Sequence, residues 1–160
     1  MISLPAIKLH AHWRIERFLS GELKPYNVSE FDGNLALNEG LNELWSLVAG
    51  DGGAVAFDNT NAYIGVGDSA TAAAASQTGL QAAANKLYAG MEASYPQYGS
   101  NQQIIFRSVF GSADANWDWN EFTVANGNSD SDVNLDRKVS AQGTKAVGQT
   151  WTITLTITAA

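Results

Sequence analysis

The chain contains no cysteine. Disulfides, thiolate metal sites and a cysteine nucleophile are therefore excluded, and stability has to come from packing or from association. Charge is also sparse. Charged residues make up 16% of the 160, against about 25% in ordinary soluble domains. Lys and Arg number 9 against 16 Asp and Glu, for a net charge of −7. A duplex-binding surface needs clustered cations, so nucleic acid is not expected as a direct partner. No run of about 18 apolar residues occurs, so no helix is expected to span a membrane. Residues 1–9 hold too short an apolar stretch and too little positive charge for a signal peptide, and the chain is expected to be made in the cytoplasm and to stay soluble.

Small residues (Gly, Ala, Asn, Ser and Thr) take the place of the missing charge. Such a surface costs little to desolvate. Two readings follow, an ordinary small-residue surface or one partly covered by other protein chains. The length suits one domain with a proper core, and 45% apolar content excludes a disordered chain.

The clearest pattern is at the C-terminal end. From Thr150 to Thr158 the residues alternate, with Trp151, Ile153, Leu155 and Ile157 on one face and threonine on the other. A strand turns successive side chains to opposite faces, so this is a half-buried antiparallel strand. Residues 7–15 alternate likewise, with Ile7, Leu9, Ala11, Trp13 and Ile15 opposite Lys8, His10, His12 and Arg14. With a turn at 20–22 and a short strand over 26–31, they predict an N-terminal hairpin.

One helix is predicted, over residues 35–49. Leu37, Leu41, Leu44, Trp45 and Val48 form a single apolar stripe, Asn34 or Asn38 stands at the start, and Gly50 stands where a left-handed cap is expected. Gly40 inside it costs about 1 kcal/mol relative to Ala and suits close packing. Further strands are expected over 62–66, 87–91, 104–110, 117–124 and 133–139, with one helical turn over 81–86. Residues 67–80 read as an ordered loop and 126–132 as a polar, exposed one. The pattern gives a mainly β chain: a single-domain antiparallel β-sandwich or jelly-roll-like fold of seven or eight strands with one early amphipathic helix. It divides into an N-terminal β-arm or hairpin, 1–33, within the same domain or projecting as an interface arm, and a sandwich, 34–160.

Several motifs touch on chemistry. His10 and His12 share a strand face, one way to hold zinc or copper, but a third ligand is missing and Glu16 lies too far along. A polar strand face in water or in an interface is the preferred reading, and no metal or cofactor is expected. Asn126, Asn128, Asp130 and Asp132 space oxygens like a calcium loop, without its glycine or its bidentate Glu. The glycines of Gly65-Val66-Gly67-Asp68-Ser69 fail both phosphate-loop spacings and read instead as a sharp exit from a strand. Trp117 and Trp119 fall on one strand face, where they serve as core, as interface anchor, or with Tyr98 as a sugar-stacking platform.

The order of these segments resembles small virion structural proteins of tailed bacteriophages. The resemblance runs over residues 34–160. It is carried by Ile64 to Thr71 with Gln77 to Gln81, by Phe106 to Gly111 with Ala115 to Trp117, by Glu121 to Val124 with the Asn126-Gly127 turn, by Asn134 to Val139, by Gly143 to Lys145, and by the Thr-rich final strand. The G-x-G-D-x-x-T-A block and the Thr-Trp-Thr ending are also similar to modules of phage tail and fibre proteins. The resemblance implies a non-enzymatic β-rich assembly protein of the virion, put together in the host cytoplasm, and carries no catalytic residues. The expected function is capsid decoration (cement), with the major capsid protein or other virion proteins as partners and a homo-oligomer, trimer or dimer, on the shell.

Three regions are then interface candidates: residues 1–14, with Leu9, His10, His12, Trp13 and Arg14; the 67–80 loop, with Asp68 and Ser69; and the 126–132 loop, with Asn128, Asp130 and Asp132. The first is favoured because an edge strand left unpaired invites association. The alternative is a tail, collar or fibre component touching host glycan through Trp117, Trp119 and Tyr98. A hydrolase ranks last; it would need an acid–base pair such as Glu121 with Asp118, which nothing in the spacing singles out.

Overall fold

The computed structural model describes residues 7–160. In chain order the elements are β1 (Leu9–Leu19), β2 (Asn27–Asp32), β3 (Leu35–Ala36), α1 (Asn38–Ala49), β4 (Tyr63–Gly67), β5 (Lys86–Gly90), β6 (Gln97–Tyr98), β7 (Gln103–Phe110), β8 (Glu121–Ala125), β9 (Asp136–Val139) and β10 (Gln149–Ala159). They make two five-stranded antiparallel sheets, ordered β2-β1-β10-β7-β6 and β3-β9-β8-β4-β5. The chain is mainly β, as the alternation predicts, and the arrangement is a β-sandwich.

The two alternating segments build the middle of the first sheet. β1 and β10 pair along their full length, from Leu9 opposite Ala159 to Leu19 opposite Gln149. Trp13, Ile15, Trp151, Ile153 and Leu155 thus share one face and are fully or almost fully buried. β7 adds Phe106 and Phe110 to that face, and the second sheet meets it with Ile64, Val66, Phe122 and Val124. Aromatic rings bridge the sheets. The Trp119 ring lies 4.7 Å from Trp151 and 4.9 Å from Phe110, both edge-on, and Trp13 lies 5.7 Å from Phe122. Each fully buried side chain of this size contributes about 1.5–3 kcal/mol by leaving water.

β1 is therefore not an edge. It has β2 on one side and β10 on the other, and its inward residues are core. The hairpin 7–33 forms one side of the first sheet, with β1 inside it and β2 at the open edge. Among the described residues ten strands replace the expected seven or eight, because β3 and β6 are two-residue pairings that no hydrophobic pattern marks. No helical turn forms over 81–86.

α1 begins at Asn38, three residues late. Leu37 stands at the N-cap without a side-chain cap bond, so neither Asn34 nor Asn38 caps it, while Gly50 closes the C-terminus in the left-handed conformation at φ 73°. The helix is rolled away from its sequence stripe. Gly40 is its only fully buried residue, with Leu44 and Leu47 packed on the core, whereas Trp45 and Val48 are 71% and 77% exposed. The cause is the contact at Gly40. A Cβ there would overlap the Leu135 backbone and stand 2.7 Å from the Asn134 carbonyl. The helix sits against that backbone because glycine has no side chain, and a hydrophobicity pattern counts glycine as nothing.

Candidate functional site

The second sheet buries charge on the face turned away from the core. Alternation along β8 puts Phe122 and Val124 inward and Glu121 and Thr123 outward, yet all are buried, because the 68–85 segment crosses over them. Glu121 and Arg137 are both fully buried. Arg137 Nε donates to Glu121 Oε2 at 2.8 Å, and Nη2 lies 2.6 Å from the same oxygen. Each also holds the crossing segment. Glu121 accepts the Gln81 and Ala82 N–H groups at 2.8 and 2.7 Å, and Arg137 Nη1 donates to the Thr71 carbonyl at 2.9 Å and to Gln77 Oε1 at 3.1 Å. A buried pair has to be satisfied in this way, or desolvation outweighs the attraction.

The two glycines singled out in the sequence belong to this arrangement. Gly65 lies inside β4, and Gly67 is its last residue, where the chain leaves the strand. A Cβ on Gly65 would stand 2.6 Å from the Tyr88 ring, and one on Gly67 would strike Glu121. Glycine there makes room for neighbouring side chains.

Asp136, the next residue to Arg137, is wholly buried. Among the described residues its carboxyl meets only Asn34 Nδ2 and the Val124 N–H, both at 3.3 Å. Burial, weakly opposed by those two donors, pushes it up to about 7. Farther along the same face, the Tyr88 hydroxyl donates to Asp130 at 2.5 Å, Lys86 Nζ pairs with the same carboxylate, and Leu80 N–H donates to it at 3.1 Å. Burial first, then Asp130, push the Tyr88 phenol up. Lys145 is a third internal brace: fully buried, it donates to the Gly111 and Asp114 carbonyls and to Asn116 Oδ1 at 2.7–2.9 Å.

The residues proposed from sequence are dispersed by this fold. Trp13 is fully buried, stacked 6.1 Å from Phe31, which corrects its placement at an interface. Leu9 is half-buried at the lip of an apolar cleft, His10 is exposed, and of residues 1–14 the first six lie outside the described residues. His12 is exposed and lies 2.7 Å from Asp32, while Arg14 donates to Glu30 at 2.9 Å. Asp68 accepts from Asn85, and Ser69 bonds Thr71. The 126–132 loop is not a free polar tip. Asn126 is buried, Asp130 is engaged as above, and Asp132 binds back to the Ser129 N–H and hydroxyl at 3.0 and 2.8 Å. In that loop Asn128 and Ser131 are exposed.

The aromatic platform does not form. Trp119 is fully buried, its indole donating to the Ala115 carbonyl at 2.9 Å, which corrects its reading as a sugar contact. Both tryptophans precede β8 instead of lying in it. Trp117 is half-buried against the core and its buried indole N–H has no acceptor among the described residues; Tyr98 is 77% exposed. Glu121 and Asp118 do not converge either, since Glu121 is held by Arg137 and Asp118 is exposed and bonded to Thr144. Among the described residues no group of three or more His, Cys, Asp or Glu side chains is placed to hold a metal, and no helix is long and apolar enough to cross a membrane.

Three surface features were not legible beforehand. One is the outward face of α1, with Trp45 and Val48 and the neighbouring Leu41 and Val55 partly exposed. Another is a cleft of about 460 Å³ at one end of the sandwich, lined by Leu9, Leu44, Phe57, Phe106, Leu135 and Ile157 with Gln102 and Gln103 at its rim. The third is the free edge of β2. The outward helix face had a signal in the sequence, since a five-residue apolar stripe with glycine beside it leaves two possible buried faces. Comparison with protein-family models, with curated proteins and with solved structures returns no match.

Proposed function

We propose that this chain is a non-enzymatic structural protein of a tailed-bacteriophage virion, acting as a capsid decoration (cement) protein. Its partners on this reading are the major capsid protein or other virion proteins, together with further copies of itself, and its place is the assembled particle. The sequence resemblance over residues 34–160 supports the class. The observation that carries the reading is α1. Its apolar stripe, which in an isolated domain would be turned to the core, leaves Trp45 and Val48 facing outward. Exposed Trp on a rigid helix is the kind of anchor that protein interfaces bury. The internal charges, by contrast, are spent on bracing the sheet, and such a molecule contributes by being stiff and by covering joints.

The test is localisation on particles. Purified protein is incubated with empty heads and, separately, with tails, and bound copies are counted on gels and located by cryo-electron microscopy. Density on the head lattice, lost on Trp45→Glu, is the expected result. Density on the tail or collar alone moves the protein to the tail reading, and binding to neither refutes the virion assignment.

A further inference from the structure

We propose that the free edge of β2 pairs antiparallel with β2 of a second copy of this chain, joining two five-stranded sheets into one of ten strands. The inference rests on the self-association in the reading above and gives it a place.

The geometry comes from ladder parity. The Gly33 N–H donates to the Ala11 carbonyl at 2.9 Å, so residues 33 and 11 form a hydrogen-bonded pair. In an antiparallel ladder such pairs alternate with non-bonded ones. His12–Asp32, Arg14–Glu30 and Glu16–Val28 are then the non-bonded pairs of the β1–β2 register. Val28, Glu30 and Asp32 consequently turn their N–H and C=O groups away from β1, toward the open edge. Nothing among the described residues pairs with that edge, and all three are exposed.

Natural edge strands are blunted by charge, above all Lys, by Pro or by a bulge; Lys24 and Pro25 stand just before β2, but β2 itself reads Asn-Val-Ser-Glu-Phe-Asp, with neither Lys nor Pro, and pairs with β1 in unbroken register. Its two carboxylates already have partners within their own sheet: Glu30 pairs with Arg14, and Asp32 shares a hydrogen bond with the His12 ring. Charge then selects the register. A two-fold axis through residue 30 sets Glu30 against Glu30 of the second copy, and like charges directly opposite are destabilising. An axis through Ser29 sets Val28 against Glu30 twice, both residues with outward-facing groups, and keeps the carboxylates apart. That interface is isologous, the commonest form of a homodimer.

Area points the same way. A standard interface buries about 800 Å² on each partner, more than a six-residue edge supplies. The hairpin end beside β2 carries Leu19, Leu23 and Tyr26 exposed, Leu23 at 98%, and these are the apolar side chains available to complete it.

The protein should elute with twice its 17.0 kDa chain mass in size exclusion with light scattering. Val28→Pro removes an N–H that β1 does not use, so it should return the mass to that of one chain while circular dichroism is unchanged. Trp45→Glu should leave the dimer intact. Backbone amides of Val28 and Glu30 should exchange slowly in the dimer and speed up on dilution. Because the chain has no cysteine, Ser29→Cys offers a second test that does not depend on the proline variant folding. A non-bonded pair on the axis has the short Cα separation a disulfide requires, so oxidation should give a covalent dimer. A dimer that survives Val28→Pro, or a Ser29→Cys protein that stays monomeric on oxidation, overturns the β2 edge and leaves self-association standing. A monomer at every concentration overturns both.

Discussion

Asp136 should make the protein lose stability as pH rises, and Asp136→Asn should remove most of that loss. The carboxyl is wholly buried, with two long hydrogen bonds at 3.3 Å, and sits at about 7 against 3.8 in an open chain. The sign follows from linkage. The folded state holds this proton more tightly than the unfolded state, so the unfolded chain binds fewer protons between the two values and stability falls as pH increases. Below 3.8 the group contributes no penalty; the penalty grows from there to about 7 and is constant above. At 1.36 kcal/mol for each pH unit, the full penalty is on the order of 4 kcal/mol, a large share of the 5–15 kcal/mol that domains typically have. Burial also raises Glu39, which adds a smaller change of the same sign. The assay is urea unfolding of both proteins at intervals from pH 4 to 9, read as midpoints at constant slope. The Asn variant should match the parent near pH 4 and exceed it by several kcal/mol at pH 8. Parallel curves for the two proteins would refute the reasoning, because they would mean that the folded state ionises Asp136 without cost.

Three further outcomes follow from the packing. Gly40→Ala, which in an open helix stabilises by about 1 kcal/mol, should here destabilise, because the new methyl meets the Leu135 backbone; thermal melting gives the sign. Arg137→Met should cost about 3–5 kcal/mol by leaving Glu121 buried without its cation, and should make the 68–85 segment the first site of limited proteolysis. Trp119→Ala should cost about 3–5 kcal/mol as a core truncation, whereas Tyr98→Ala should change the unfolding midpoint little, since its ring is mostly in water.

The strands that are legible in the sequence are those with one wet face. β1 and β10 alternate because one side meets the core and the other carries His, Arg and Thr. β8 is harder to read because it is covered on both faces, and its outward Glu121 and Thr123 look like solvent residues until the 68–85 segment is laid over them. The 126–132 loop misleads for the same reason: its acids read as hydrated, but Tyr88, Lys86 and Leu80, distant in sequence, come to bond Asp130. The tryptophans of 117–119 share strand-like spacing, yet Trp119 N–H bonds to Gly143 and Lys145 N–H to Trp117 outside any regular strand, so one ring enters the core and the other stays at its margin.

By itself the sequence determined the class: period-two alternation admits only strands, one helical stripe admits only one helix, and the absence of cysteine leaves packing to hold them together. Tertiary structure alone decided which edge is open, which face of the helix is wet and which acids are buried. Those depend on contacts between residues far apart in the chain, above all a side chain that is missing at Gly40 and a carboxylate whose partner arrives from another strand. Local periodicity records how a segment turns its side chains; it does not record what comes to rest on them.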